Sequence, residues 1–316
     1  MDDVGNVIGT SSPQRYRGVL GWFSFLLRHQ RISQLLALPL AAVLFLLVLP
    51  IASLLQYSLY TFVPGKGVLF QLTLANYTSF LSDEFYLSSI AVTLGTAGLV
   101  AIVTVAVAYP VAYFYARSAF RYKGLLMTML LAPFYLNILV KTFAWMVILG
   151  REGPINRMLV QLPFVDRPYD FLQGYLGIVI ILVYLSIPYA AILMIGPLQN
   201  IDASVLSSAR ICGSGTLEVF RRVILPLSIP GIISSSILVF AMNVTSFVTP
   251  ILVGGSWGYK FLGVIAYQSI TTYSNWAFGS AVATVMLVLS SVIVVVYSIV
   301  VKLTRFGVVM SEKFVR

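Results

Sequence analysis

Apolar residues in this chain neither alternate nor recur at helical spacing. They run on without interruption. Six segments, 32–60, 87–116, 124–149, 174–197, 229–253 and 277–303, are apolar over lengths that cross a bilayer as helices. None of the six contains Asp or Glu. A barrel would need alternating segments of about ten residues, which are absent, and only helices or closed barrels satisfy their backbone in hydrocarbon. The pattern predicts an all-α integral membrane fold of six transmembrane helices. Residues 1–31 form an N-terminal segment, 32–303 the transmembrane domain and 304–316 a C-terminal tail. Pro39, Pro50, Pro110, Pro133, Pro188, Pro197 and Pro250 fall inside or near the spans and predict bends. Such breaks can line a pathway or be the ordinary prolines of membrane helices.

One interruption is long and ordered-looking. Ile201 to Ile232 read IDASVLSSARICGSGTLEVFRRVILPLSIPGI. Asp202 can cap a short helix. Val205, Ala209 and Cys212, with Leu206 beside them, give that helix one apolar stripe. Gly213 falls where a left-handed C-cap is wanted. A second short helix follows, with Glu218 early and Arg221 and Arg222 late, matching the helix dipole. Pro226 and Pro230 are expected to end it and set the fifth span. A helix of about nine residues does not hold alone in water. It packs on this protein's own helix ends or docks into a cytosolic partner, and the residues alone leave both open.

Composition supports the membrane reading. The chain has 316 residues, 59% hydrophobic and 9% charged, with a mean hydropathy of +0.95. A soluble domain carries about 25% charged residues. The net charge of +10 would suggest nucleic acid in a soluble protein; here the cations lie near span ends and set topology. Fourteen Lys and Arg fall on the side of the termini and the 199–228 loop, and five on the opposite side. The positive-inside bias places both termini and that loop in the cytoplasm. The first apolar run is too long for a signal peptide and is expected to be retained. Cys212 is the one cysteine and His29 the one histidine, so neither a disulfide within the chain nor a metal site is expected. Aromatics at Trp257, Tyr259, Tyr267, Tyr273 and Trp276, in an outward-facing segment 254–276, fit an interface belt.

The 199–228 loop resembles the EAA loop of ABC-importer permeases. Its form is Glu-Ala-Ala, three residues, Gly, nine residues, a hydrophobic residue, one more and Leu-Pro. Ser207, Ser208 and Ala209 stand at the Glu-Ala-Ala positions, Gly213 at the glycine, and Val223, Leu225 and Pro226 at the end. The resemblance implies a coupling helix inserted into a cleft of an ATPase subunit, with Ser207, Ser208, Ala209, Arg210, Gly213, Phe220, Leu225 and Pro226 as coupling residues. Ser207 replaces the usual glutamate, so any charged contact made there in relatives is absent. The stretch PFYLNILVKTFAWMVILGREGPIN, 133–156, is similar to a block in PotB-type permeases of polyamine importers. Asn137, Thr142, Ala144, Trp145, Met146, Ile155 and Asn156 match it, while Lys141 and Phe143 depart from it.

Asn137, Lys141 and Trp145 are four apart and share a face if the third span is one helix. Lys141 lies about 12 Å from the outer end by helix rise. It can snorkel outward or line a pathway. Tyr135, Asn137, Lys141, Trp145, Tyr184, Asn243 and Ser246 are the candidate pathway residues. Asn243, Ser246 and Thr249 form a polar stripe that fits either helix packing or substrate lining. A cation crossing here would meet aromatic faces and amides rather than carboxylates. The solute class is therefore polyamine by resemblance, with amino-acid-like or phosphonate-like solutes as alternatives.

There is no GxxxxGK[ST] phosphate loop, no GxSxG and no HExxH in this chain. No catalytic residue is assigned, and ATP with Mg is expected on a partner ATPase. The resemblance implies a second homologous permease, two cytosolic ATPase subunits and a periplasmic or extracellular solute-binding protein as partners, in the bacterial inner membrane. No nucleic-acid partner is expected; lipid surrounds the spans. A stand-alone secondary transporter or channel is the alternative; such proteins usually carry intramembrane ionisable groups or internal repeats, and here Lys141 is the one candidate and no convincing repeat is seen. A non-transporting scaffold would make the loop a coincidence.

Overall fold

A computed structural model describes residues 30–118, 121–163, 165 and 167–313, with side chains between 39 and 299. His29, Arg15, Arg17 and Arg28 lie outside the described residues, as does the end of the tail. The chain divides into two compact units, Met1–Ser53 and Leu54–Arg316.

Within the first unit the described chain is one helix, the leading part of α1 (Gln30–Ser58). From Leu40 to Leu49 its side chains are exposed and apolar. That is what a span facing hydrocarbon requires, since every backbone bond is internal.

The second unit begins with a hairpin, β1 (Tyr60–Val63) against β2 (Gly67–Leu72), antiparallel, and a short helix α2 (Ala75–Ser82). The all-α expectation therefore holds for the spans but not for this connection. Asn76 holds it to the end of α1, donating to the Ser58 and Tyr60 carbonyls at 2.9 Å each. Then follow α3 (Glu84–Arg117), α4 (Lys123–Tyr135), α5 (Ile138–Leu149), α6 (Pro154–Val160) and α7 (Tyr175–Gln199). The loop helix α8 (Ala203–Ile211) leads to α9 (Thr216–Val219) and α10 (Leu225–Val244). The chain ends with α11 (Val248–Val253), α12 (Leu262–Thr271) and α13 (Trp276–Lys313).

The core is α3, α7 and α10. Buried α3 positions are small, Thr93, Ala97, Ala101, Thr104, Ala108 and Ala112, at three-and-four spacing. Small residues let membrane helices approach closely, which replaces the hydrophobic drive that lipid removes. α7 is the most buried span, with Ile178, Ala190, Met194 and Leu198 at or near zero exposure.

Two expected spans are not continuous. The third breaks at Leu136–Asn137, and the chain bends there by 103° between Lys123–Tyr135 and Ile138–Val160. The fifth stops at Val244 and restarts as α11 after residues 245–247. Pro250 explains the second break: inside a continuous helix its ring would strike the Ser246 carbonyl, whereas in the first turn of α11 it is tolerated.

The expected outer loop 254–276 also differs. Phe261, Leu262 and Val264 are buried, and the Leu262 N–H donates to Thr93 Oγ1 at 3.0 Å, deep along α3. Thr93 is about 14 Å from the start of α3 by helix rise. So the chain re-enters the bundle before α12 climbs out. Gly263 makes this possible, because a Cβ there would lie 2.8 Å from the Ser246 carbonyl oxygen.

Candidate functional site

The 199–228 loop has an inner and an outer face. Asp202 caps α8, accepting from the Ser204 N–H at 2.9 Å. This hydrogen bond, reinforced by the Ser204 hydroxyl, holds the Asp202 carboxyl below its ordinary value. α8 closes on Gly213 at φ +86°, with the Gly213 N–H on the Arg210 carbonyl and the Ser214 N–H on the Ala209 carbonyl. That is the left-handed C-cap expected from the sequence.

The stripe is not the expected one. Leu206 and Ala209 pack on the core, while Val205 and Cys212 are exposed. Leu206 to Ala209 is three residues, so the packed face is narrow and centred one position later than Val205 suggested.

The second helix is not a separate element. α9 passes through a π-type turn, Phe220–Ile224, straight into α10, with the Leu225 N–H on the Phe220 carbonyl. Pro226 and Pro230 therefore do not end it. The widened turn precedes Pro226, whose ring would otherwise clash four residues back. Inside the loop, Phe220 makes edge-on contacts with Tyr109 and Tyr113, at centroid distances of 6.0 and 5.9 Å. The Tyr109 hydroxyl pairs with Ser228 Oγ at 2.9 Å, and Arg117 Nη2 donates to the Ile201 carbonyl at 2.8 Å. Phe220 thus clamps the loop to α3 rather than facing outward.

What faces outward surrounds the Gly213 turn. Ile211 is 85% and Leu217 79% exposed, and Ser207, Ser208, Arg210 and Cys212 are exposed as well. Ser207 turns its hydroxyl back onto the Ala203 carbonyl. Leu225 and Pro226 are exposed on the first turn of α10. Exposed Ile and Leu at the tip of a firmly anchored loop form a small apolar knob, the shape of a group that fills a groove.

Asn137, Lys141 and Trp145 keep their four-residue spacing on α5, while Tyr135 lies before the break and Tyr184 and Asn243 lie on α7 and α10. Asn137 is the N-cap of α5, its Oδ1 accepting from the Leu139 N–H at 2.8 Å. Lys141 Nζ reaches back across the break to the Pro133 carbonyl at 2.9 Å. This gives Lys141 a structural partner beside the snorkelling and pathway readings. Lys141 neutralises the carbonyl end of α4, where a broken span would leave acceptors unpaired.

Tyr135 is 87% exposed at the elbow. Trp145 packs on Tyr184 with centroids 5.1 Å apart, and Phe134 on Tyr189 at 4.5 Å, so α7 carries both halves. Asn243 is buried and donates to Ser186 Oγ at 3.1 Å and to the Val239 carbonyl at 2.7 Å. This favours the packing reading, and Ser186 is its partner on α7. Ser246 lies in the break after α10, and Thr249 on α11, so the three-residue polar stripe does not exist as one helical face.

Asn156, at the end of the block, is fully buried. It donates to the Gly150 and Tyr169 carbonyls at 2.8 and 3.0 Å and accepts from the Tyr169 N–H at 2.8 Å. Arg117 and Ser186 carried no signal in the sequence, since nothing local marks a long-range hydrogen bond. Asn137 and Pro133 did carry one: a good N-cap residue just after a helix-weakening proline.

A bundle of apolar, span-length helices with a capped loop is the layout of a membrane permease. A family model for "Binding-protein-dependent transport system inner membrane component" matches residues 108–306, well over half of the chain. The chain belongs to this family, and is a multi-pass transport subunit of a binding-protein-dependent system. Among its relatives is the spermidine/putrescine transport system permease protein PotB of Haemophilus influenzae. It is 29% identical over 270 residues, covering 85% of this chain and 93% of that one. PotB of Escherichia coli is 28% identical over 225 residues, 71% of this chain and 81% of its own. The inner membrane ABC transporter permease protein YdcU of Escherichia coli is 28% identical over 251 residues, 75% and 79% respectively. The fold is shared with a chain in the crystal structure of a bacterial alginate ABC transporter in complex with alginate pentasaccharide-bound periplasmic protein. The TM-score is 0.70 at 17% identity, covering 87% of this chain and 95% of that chain.

Proposed function

We propose that this chain is the permease subunit of an ATP-driven importer that moves a polyamine of the spermidine/putrescine class inward by alternating access. The observation that carries the coupling role is the loop itself. Its inner face is fixed to α3 by Phe220 and Arg117, with Leu206 and Ala209 packed on the core, and its outer tip offers Ile211 and Leu217 beside a left-handed Gly213. A partner that grips the tip therefore moves the bundle, because the anchor does not slip. The extensive similarity to permeases named for spermidine and putrescine supports the solute class. Both termini and the loop face the cytoplasm on the positive-inside argument. ATP and Mg are held by a separate ATPase pair, and a second homologous permease and an external binding protein complete the assembly.

Two experiments test this. Affinity capture of the chain from native membranes in mild detergent, followed by mass spectrometry, should recover an ATPase and a second six-helix permease; recovery of this chain alone overturns the reading. Gly213→Val tests the coupling role in the reconstituted complex. Nothing lies within 4 Å of a Cβ at Gly213, so the variant meets only backbone strain, about 1–2 kcal/mol. ATP-dependent spermidine uptake should fall at least tenfold with the complex still assembled. Unchanged uptake would refute the docking assignment.

A further inference from the structure

At the end of the bundle opposite the loop, a cavity of about 450 Å³ opens between the start of α3, the end of α12 and the start of α13. Five of its lining residues are aromatic: Phe85, Tyr86, Tyr259, Tyr273 and Phe278. No Lys or Arg lines it. The nearest cation in sequence, Lys260, sits over the Trp257 ring at 4.9 Å.

The rings at the base are held firmly. Fully buried Phe80 stacks on Tyr86 at 5.2 Å, and Phe278 lies 5.2 Å from Tyr86. The rim is set by Ser274 at φ +53° and by Asn275, whose Oδ1 caps α13 through the Phe278 N–H. Tyr259 and Tyr273 are 55% and 67% exposed, so their ring faces are open to a ligand. Gln268 adds an amide to the lining. Asp83 and Glu84 stand directly before Phe85, and among the described residues neither carboxylate is in an ion pair.

A cavity walled by aromatic faces, free of cations and flanked by carboxylates, attracts organic ammonium groups. We propose that it is an entry site for an alkylammonium solute. It would hold the solute by ring faces and the Gln268 amide at the outer mouth of the permease. This rests on the orientation and the polyamine reading above, and adds a site those readings do not contain. It also answers a gap in the sequence: the spans have no carboxylate, and Asp83, Glu84 and the rings stand together before the spans begin.

The test uses the assembled transporter in nanodiscs, without its binding protein, titrated with spermidine by calorimetry. Tyr259→Ala and Tyr273→Ala remove exposed rings and leave the buried Phe80 cluster intact, so folding is preserved. Each should weaken spermidine binding about threefold to fivefold, and the pair more. Tyr273→Phe keeps the ring face and should bind as the unaltered complex does.

Saturable binding that is indifferent to both alanine variants overturns the entry site. So does an absence of binding in a complex that still takes up spermidine with its binding protein present; that outcome leaves the polyamine importer standing. A complex that neither binds nor takes up spermidine fails the importer reading itself, and the entry site with it. Should the alanine variants lower only the affinity for the binding protein, the cavity is a protein-docking surface and the proposal is wrong.

Discussion

The cytoplasmic-type loop and the broken third span solve one problem in opposite ways. Both are places where a helix ends and leaves backbone groups without partners. In the loop, local residues meet the need: Asp202 opens α8 and Gly213 closes it, and water can reach the rest. In the third span the ends fall within a membrane segment, where unpaired backbone groups are costly. There Asn137 caps the second half and Lys141 reaches back to the end of the first. A loop is fastened by packing and left free at its tip. The break in the third span is fastened by its own polar side chains, although the residues around it, Phe134 to Val140, are exposed and Tyr135 most of all. The lesson is that an isolated charge in a span can have a structural partner.

The sharpest way to break this contrast is to free the loop from its anchor. Phe220→Ala removes the ring that packs on Tyr109 and Tyr113. The expected cost is about 3 kcal/mol. Hydrogen–deuterium exchange should show loss of protection across 203–224 with α3 and α7 unchanged. ATP hydrolysis should continue while solute uptake falls. Phe220→Leu should recover part of the protection. Equal exchange in Phe220→Ala and the unaltered chain would mean that the anchor lies elsewhere.

The loop was legible because its signals are local. A capping Asp and a glycine at the C-cap each act within a few residues, and the structure keeps both in place; the Leu225-Pro226 pair stands inside a helix that runs on. The face that packs was misplaced, since Val205 and Leu206 are both apolar and only the core beneath decides between them. Six apolar runs were also legible. Their interruptions were harder to see, because apolar residues continue through them. Pro250 gives the reason for the fifth-span break once the Ser246 carbonyl is placed before it. The re-entry at Phe261 to Ile265 had no such marker. It depends on Gly263 meeting Ser246 and on Thr93 waiting on α3 to accept the Leu262 N–H. Asn243, one of three residues in a stripe that fitted packing or lining, pairs with Ser186 on α7. These are contacts between distant segments, and spacing along one segment does not contain them.

The break itself offers the next test. Lys141→Met keeps the length and apolar stem of the side chain but removes the donor to the Pro133 carbonyl. The loss of a cation at a helix carbonyl end is worth about 1–2 kcal/mol in a partly buried setting. Thermal stability of the detergent-solubilised complex should fall accordingly. Lys141→Arg retains a cation that can reach the same carbonyl and should stay near the unaltered value. If both variants are equally stable and only uptake changes, Lys141 belongs to the pathway and the capping argument fails.

The smallest effect expected lies at the start of α8, and it carries a pH signature. The Asp202 carboxylate accepts from Ser204, which lowers its folded pKa. A carboxyl of this kind contributes its cap fully above the ordinary carboxylate value of about 3.9. The contribution is lost as pH falls through the lower, folded value. Above pH 5 the loop should therefore be insensitive to this group, and coupling should not titrate there on its account. Below pH 4 amide protection in 203–206 should decline in the unaltered chain. Asp202→Asn also caps but does not ionise, so it should show no such decline. Comparing the two at each pH cancels the intrinsic pH dependence of exchange. A parallel decline in both would assign the change to the bundle beneath, and the loop would then be fastened from its anchored face alone.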